Sequence, residues 1–378
     1  MLDRLAAILA ALRGADQFRD LRSSGGIPLC SNDYLALATH PELKDAITRA
    51  VAENARIAST GSRLLSGNDA RWEQLESDFA AFVGAEAALY FPSGYAANIG
   101  LLSSVLKPAD TVFSDAANHA SLIDGIRLSH AKRVVFPHLD LNSLEDALRR
   151  VSGSGENVVV VESIFSMEGD RAPLADLADL CDRFDASLIV DEAHATGVEG
   201  NGGRGLIHAA GRPASVLATV HTCGKALAAM GAFVAGSRTL RDYLINHARP
   251  FIFATALPPY CAAHVGKALE LVRQADAERD RLWQLSEYLR ERLRTAGFDL
   301  GTSDSQIVPL ILGSNETALR FASALNAAGF DVRAIRPPTV PKGSARLRLS
   351  LNASLRIADM DALMAVLAGV REAEVVPE

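Results

Sequence analysis

Cysteine is scarce in this chain, and its four copies are unpaired in spacing. Cys30, Cys181, Cys223 and Cys261 lie far apart in 378 residues, with no CxxC pair. That excludes a disulfide framework or a zinc ribbon and reads as free thiols of a reducing compartment. No apolar run is long enough to span a bilayer. No basic excess exists either: the formal net charge is −7, spread along the chain, without the basic stripe that nucleic acid requires. A GxGxxG fingerprint is missing, which argues against a dinucleotide. Repeats and low-complexity segments are absent. Met1-Leu-Asp-Arg-Leu-Ala-Ala-Ile-Leu9 is an amphipathic start with no signal-peptide cleavage pattern, so the expected location is cytoplasmic.

What is present is apolar: 49% of residues are hydrophobic, ample for a sizeable core. The length suggests one large domain and a smaller one. The chain is organised around Lys225. The apolar run Ser215 to Val220 reads as a buried strand, breaks at Thr222-Cys-Gly, delivers Lys225, and is followed by a second run, Gly231 to Gly236. A lysine held in such a turn is poorly solvated, which disfavours the ammonium form and suits an amine that forms a Schiff base. The bland alternative is a lysine that snorkels to water. Upstream, Ser187-Leu-Ile-Val-Asp191 is a strand that ends in a carboxylate, with His194 three residues on. Ligands of open α/β sheets sit outside the carboxyl ends of the strands. A buried Asp facing a heteroaromatic nitrogen, with a Lys nearby, is the pairing that pyridoxal phosphate (PLP) needs.

Taken in order, residues 1 to 22 read as a helix, with Leu5, Ile8, Leu9 and Leu12 on one face and Arg19 on or beyond it. Asn32 follows a Gly-Gly-Ile-Pro break, and turn chemistry explains it as well as ligand contact does. Pro41 opens a helix running to about Ala58, before the polar loop Ser59 to Asn68. From Ala87, short apolar runs alternate with helices, which argues for βαβ units and a largely parallel sheet. Gly94 opens a helix whose N-terminus can bind a phosphate. Pro258 to Leu293 reads as long helical sequence, followed by strands at Ile307–Leu312, Asp331–Ile335 and Arg346–Leu351 between two further helices. The expected division is 1–40 as an N-terminal helix and segment, 41–257 as the large cofactor-binding domain, and 258–378 as the interdomain helix and small domain.

Seven stretches together resemble the α-oxoamine synthases, PLP enzymes of the aspartate-aminotransferase fold. They are Ser31-Asn-Asp-Tyr-Leu35, Ser93-Gly-Tyr-Ala-Ala-Asn98, Asn118-His-Ala-Ser-Leu122, Glu162 to Asp170, Asp191-Glu-Ala-His194, Thr222-Cys-Gly-Lys225 and Arg336-Pro-Pro-Thr-Val-Pro341, in family order. The resemblance implies an α/β protein of PLP-dependent transferase fold type I. Its large domain would carry a mostly parallel seven-stranded sheet flanked by helices, with a smaller C-terminal α+β domain. Ser62-Arg-Leu-Leu-Ser-Gly67 and the Arg336 stretch look most like members that condense L-alanine with a pimeloyl thioester (CoA or acyl-carrier protein), releasing CO2 in biotin synthesis. Relatives take glycine or serine. A plain aminotransferase and a non-catalytic scaffold subunit are the remaining readings.

Carried over position by position, Lys225 would hold PLP and move the Cα proton, Asp191 would pair with the ring nitrogen, and His119 would stack on the ring or merely cap a helix. His194 and Ser166 would bond the ring oxygen or the substrate, with a backbone-satisfied histidine as the alternative. Gly94, Tyr95 and Thr222 would bind the phosphate or flank the ring, and Thr255 would reach the cofactor phosphate of a neighbouring subunit, implying a homodimer. Glu162 would orient this network or cap the next turn. Arg348 and Asn32 would take the amino acid carboxylate, and Arg19, Arg336 and Thr339 the acyl thioester. For Arg346 and Arg348 the alternative is a strand with one solvated face. The resemblance implies no metal. Cys223 and Ala226-Leu-Ala-Ala-Met230 depart from the family pattern where they could reshape the acyl pocket.

Overall fold

The computed structural model describes residues 1–375 apart from Ala55 and Ser152. Ala55, inside the helix expected to reach Ala58, and residues 376–378 of the expected C-terminal domain lie outside the described residues. The chain divides into two compact units: residues 35–166 with 171–279, and residues 1–34 with 167–170 and 280–378.

The first unit is built on a seven-stranded sheet. In chain order its strands are β1 (Ala87–Phe91), β2 (Thr111–Asp115), β3 (Lys132–Phe136), β4 (Asn157–Glu162), β5 (Ala186–Asp191), β6 (Ala218–Thr222) and β7 (Ala232–Gly236). Their spatial order is β1-β7-β6-β5-β4-β2-β3, and only β7 runs against the rest. The central strands are apolar on both faces because helices cover both. Val158 and Val160 of β4 join one core with Leu101, Ile126 and Ile189, while Val159 and Val161 join a second with Leu177 and Leu188. The two helices that matter most for the site are α1 (Gly94–Val105) and α2 (Ala120–Ser129), and they pack closely. Gly125 permits the approach: a Cβ there would stand 2.9 Å from Leu102 Cβ and 3.0 Å from Asn98 O. The parallel strands deliver Pro92–Tyr95, Asp115–His119, Glu162–Ser166, Asp191–His194 and Thr222–Lys225 at one edge of the sheet.

The second unit carries a three-stranded antiparallel sheet of β8 (Ile307–Gly313), β9 (Ala334–Ile335) and β10 (Ala345–Ser350), with β10 central. Helices Asn315–Ala327 and Ile357–Val375 accompany it, and Ile27–Pro28 pairs with Phe330–Asp331.

Five local readings are corrected. The first helix stops at Gly14, with no buried residue, and Asp16 at φ 53° turns the chain, so Arg19 lies outside it. The helix from Pro41 ends at Glu53, because Asn54 adopts an extended backbone and folds its amide back on Ala50 O. The long helix is two, Tyr260–Gln274 and Asp276–Thr295; the buried Arg279 guanidinium takes Val272 O at 2.7 Å, next to the break at Ala275. The strand expected over 331–335 splits because its two ends pair with different partners. In β10 neither Arg346 nor Arg348 is solvated; both are buried.

Candidate active site

Each end of the parallel strands contributes a polar group. Beyond β6 the chain folds into a tight turn: Cys223 N–H donates to Gly231 O at 2.8 Å, Ala229 N–H to Cys223 O at 2.9 Å, and Ala228 sits at φ 47°. Tyr90, buried in β1, ties the far side of this turn with its hydroxyl on Met230 O. The turn holds Lys225 half-buried, its Nζ 2.8 Å from His194 Nε2. His194 is itself buried.

Asp191, buried at the end of β5, accepts from Ala193 N–H at 2.9 Å with Oδ1 and from Asn98 Nδ2 at 2.7 Å with Oδ2. His119 caps α2: its Nδ1 accepts from Ser121 N–H at 3.2 Å and lies 2.7 Å from Ser121 Oγ. The ring meets Tyr95 edge-on at 6.5 Å between centroids. Capping thus fixes the ring and leaves its Nε2 edge free of that duty. Burial, the largest effect, and the Lys225 charge lower the His119 pKa, against the pull of Asp191. Glu162, buried, accepts from Ser166 N–H at 3.2 Å, so it does cap the turn that follows β4.

The mouth of α1 is open. Ser93 Oγ takes the Ala96 N–H and Ser93 O the Ala97 N–H, which leaves the N–H groups of Gly94 and Tyr95 heading the helix. A Cβ on Gly94 would come within 3.3 Å of Thr222 Oγ1. The Tyr95 side chain turns away, to Asp124. Thr255 is exposed and lines a small pocket together with Arg63, Trp72 and Phe251.

In the other unit, Arg348 Nη1 donates to Asn32 Oδ1 at 3.0 Å and to Ser350 Oγ, and Tyr34 O–H donates to the same Asn32 oxygen at 3.1 Å. Arg19 Nη2 reaches Thr339 Oγ1 at 3.1 Å. Arg336 holds the carbonyls of Asp16 and Phe18, and its burial with the nearby charges of Arg19 and Arg22 lowers its pKa. Arg348 and Asn32 are therefore neighbours, as are Arg19 and Thr339, and Arg336 holds the segment carrying Arg19; His119, also expected to contact substrate, belongs to the first unit.

Sequence reasoning missed Asn98, Ser121 and Tyr90 as site residues. For Asn98 a signal existed: it is a polar residue on a helix face otherwise made of Ala97, Leu101 and Leu102. Tyr90 gave none, since an aromatic in an apolar strand reads as core.

This set of groups fits pyridoxal phosphate. A half-buried amine, a carboxylate with both oxygens accepting, a fixed aromatic ring and a helix mouth without a Cβ at its first residue match the aldehyde, ring nitrogen, ring face and phosphate. Among the described residues no cluster of His, Cys, Asp and Glu suits a metal ion, and no helix is long and apolar enough to cross a membrane.

Comparison with known proteins agrees with this chemistry. Residues 24–367 match the model of aminotransferase class I and II. The 8-amino-7-oxononanoate synthase of Geobacter sulfurreducens is 42% identical over 98% of this chain and 98% of its own. A lysine-to-alanine variant of a serine palmitoyltransferase from S. paucimobilis, solved with a bound PLP–myriocin aldimine, superposes with a TM-score of 0.91 at 29% identity, covering 99% of this chain and 98% of that one. The 8-amino-7-oxononanoate synthase of Francisella tularensis gives 0.81 at 30% identity, over 93% of this chain and 99% of its own. On this evidence the chain belongs to the class I and II aminotransferase family, in its 8-amino-7-oxononanoate synthase branch.

Proposed function

We infer that the protein is a PLP-dependent acyltransferase that condenses L-alanine with pimeloyl-CoA, or its carrier-protein thioester. The products are 8-amino-7-oxononanoate, CO2 and the free thiol, a step of biotin synthesis. The observation that carries this reading is the Lys225–His194 pair at 2.8 Å on the same sheet edge as the doubly accepting Asp191. Sequence identities of 41–45% over most of the chain to several 8-amino-7-oxononanoate synthases support alanine as the amino acid.

Lys225 would hold PLP through its amine, the Gly94–Tyr95 helix mouth and Thr222 its phosphate, His119 its ring face, and His194 and Ser166 its ring oxygen. When bound, the cofactor supplies an electron sink for negative charge developing at the amino acid Cα. The protein's share is placement and proton movement. The Asp191 carboxylate would pair with the ring nitrogen and favour its protonated state. His194 Nε2 accepts from Lys225 Nζ, which aims the amine; once free and neutral, that nitrogen takes the Cα proton of alanine and later returns one to the product. Glu162 keeps the Ser166 turn in place. Arg348, oriented by Asn32, would pair with the alanine carboxylate, and Arg19, Arg336 and Thr339 would receive the acyl thioester. A homodimer in the cytoplasm completes the reading, with the exposed Thr255 reaching the cofactor phosphate of the second subunit. The test is an absorbance band from PLP that borohydride fixes to Lys225, together with 8-amino-7-oxononanoate formed from alanine and pimeloyl-CoA. Product formation by Lys225→Ala would refute it.

A further inference from the structure

A buried run of hydrogen bonds joins β5 to α1 and α2. Asn98 Nδ2 lies 2.7 Å from Asp191 Oδ2 and 2.9 Å from Ser121 Oγ, and Ser121 Oγ lies 2.7 Å from His119 Nδ1. An amide nitrogen only donates, so Asn98 gives one hydrogen to the carboxylate and the other to the hydroxyl. The opposite amide orientation would press Asn98 Oδ1 against the Asp191 carboxylate, so the physics selects the one described. Its consequence is visible: Asn98 Oδ1 is buried without a partner. A buried acceptor left unmade is costly, and the charge-assisted bond to Asp191 offsets it.

Ser121, having accepted from Asn98, has one proton left to give. His119 Nδ1 is the acceptor in reach, and the Ser121 backbone N–H points at the same nitrogen from 3.2 Å. Two donors on Nδ1 leave no room for a proton there, so the neutral ring carries its hydrogen on Nε2. Direction thus diverges from Asn98: its amide donates to Asp191 on one side and, through Ser121, the network donates to His119 on the other.

We propose that Asn98 and Ser121 are positioning residues, which hold the Asp191 carboxylate in place as an acceptor and His119 in its Nε2–H tautomer and couple the two through one amide. The hydrogen-bond order stands on geometry alone; its consequence for turnover rests on the function proposed above. Neither residue touches a reacting atom. Their effect on chemistry passes through Asp191 and His119.

The experiment is nitrogen NMR of 15N-histidine-labelled, PLP-loaded protein, with His119 identified among the nine histidines as the resonance missing from a His119→Asn variant. The expected result is an unprotonated Nδ1 and a protonated Nε2. Asn98→Ala, which does not touch the imidazole, shifts the Nδ1 resonance in the wild-type background and leaves it unmoved in a Ser121→Ala background. It also lowers kcat about tenfold with little change in KM for alanine, the loss expected for one hydrogen bond to a charged group. A protonated Nδ1 in the wild type, or an equal Asn98→Ala shift in both backgrounds, overturns the proposal. Should Asn98→Ala fail to fold, Ser121→Ala and Ser121→Thr decide: the first must shift Nδ1 and the second must restore it, and an unmoved resonance overturns the proposal. Wild-type protein that makes no product from alanine but shows the expected tautomer refutes the function while leaving the network standing.

Discussion

Helices α1 and α2 approach each other closely at Gly125, and adding one methyl there tests how finely the two helices are set. In Gly125→Ala the new Cβ would stand 2.9 Å from Leu102 Cβ and 3.0 Å from Asn98 O. Ordinary carbon contacts are about 3.5–4.0 Å, so α1 and α2 must part by roughly 0.5–1 Å. Helix propensity favours alanine by about 1 kcal/mol, whereas overpacking a buried contact costs about 1–3 kcal/mol. The second term wins, and a net loss of about 1 kcal/mol is expected. A comparable shift would stretch the Asn98–Ser121 bond from 2.9 Å beyond hydrogen-bonding range, so kcat should fall as well. Gly266→Ala is the control: its helix is similar, but the nearest atom to the new Cβ is Leu75 Cδ1 at 4.0 Å. There propensity acts unopposed and the protein should gain up to about 1 kcal/mol. Thermal denaturation of both variants, with kcat measured beside it, makes the comparison. Gly125→Ala with wild-type stability and wild-type kcat would refute the reasoning.

Three further outcomes are expected. Lys225→Ala should bind PLP without a borohydride-reducible link and show no turnover, with an unchanged circular dichroism spectrum. Arg348→Lys replaces a planar fork with a point charge and loses the hold on Asn32, so KM for alanine should rise about tenfold or more while KM for pimeloyl-CoA stays near its wild-type value. Glu192 is buried, and burial raises its carboxyl from 4.5 to about 7 despite hydrogen bonds from Leu206 N–H, Ile207 N–H and Ser163 Oγ. The folded state therefore holds this proton more tightly than the unfolded chain does. The stability it contributes is full below pH 4.5 and is lost as pH rises through about 7. Glu192→Gln should flatten that decline in a denaturation series across the range, and an unchanged slope would contradict it.

Much of the large unit was legible because its signals are local. Doubly apolar strands such as Val158–Val161, bounded by turns, announce a covered parallel sheet, and the residues just past each strand then fall on one edge by topology alone. Lys225, Asp191 and His194 were legible for that reason. What escaped depends on through-space geometry. Nothing in the sequence near residue 275 says that a buried Arg279 will take a carbonyl of the preceding helix and end it. Arg346 and Arg348 alternate with leucines, a pattern that reads as one wet face; in the folded unit Arg346 finds Met167 O and Glu168, and Arg348 finds Asn32 and Ser350, so both are buried. Asn98 was visible as a motif letter but not as a donor, since its two acceptors lie 23 and 93 residues away in sequence.

The most direct test of the central claim is thiol release from pimeloyl-CoA by the PLP-loaded protein, run in parallel with L-alanine, glycine and L-serine. Fast release is expected with L-alanine alone, accompanied by CO2 and 8-amino-7-oxononanoate. Release driven equally well by glycine or serine, or none with alanine from either the CoA or the carrier-protein thioester, would contradict it.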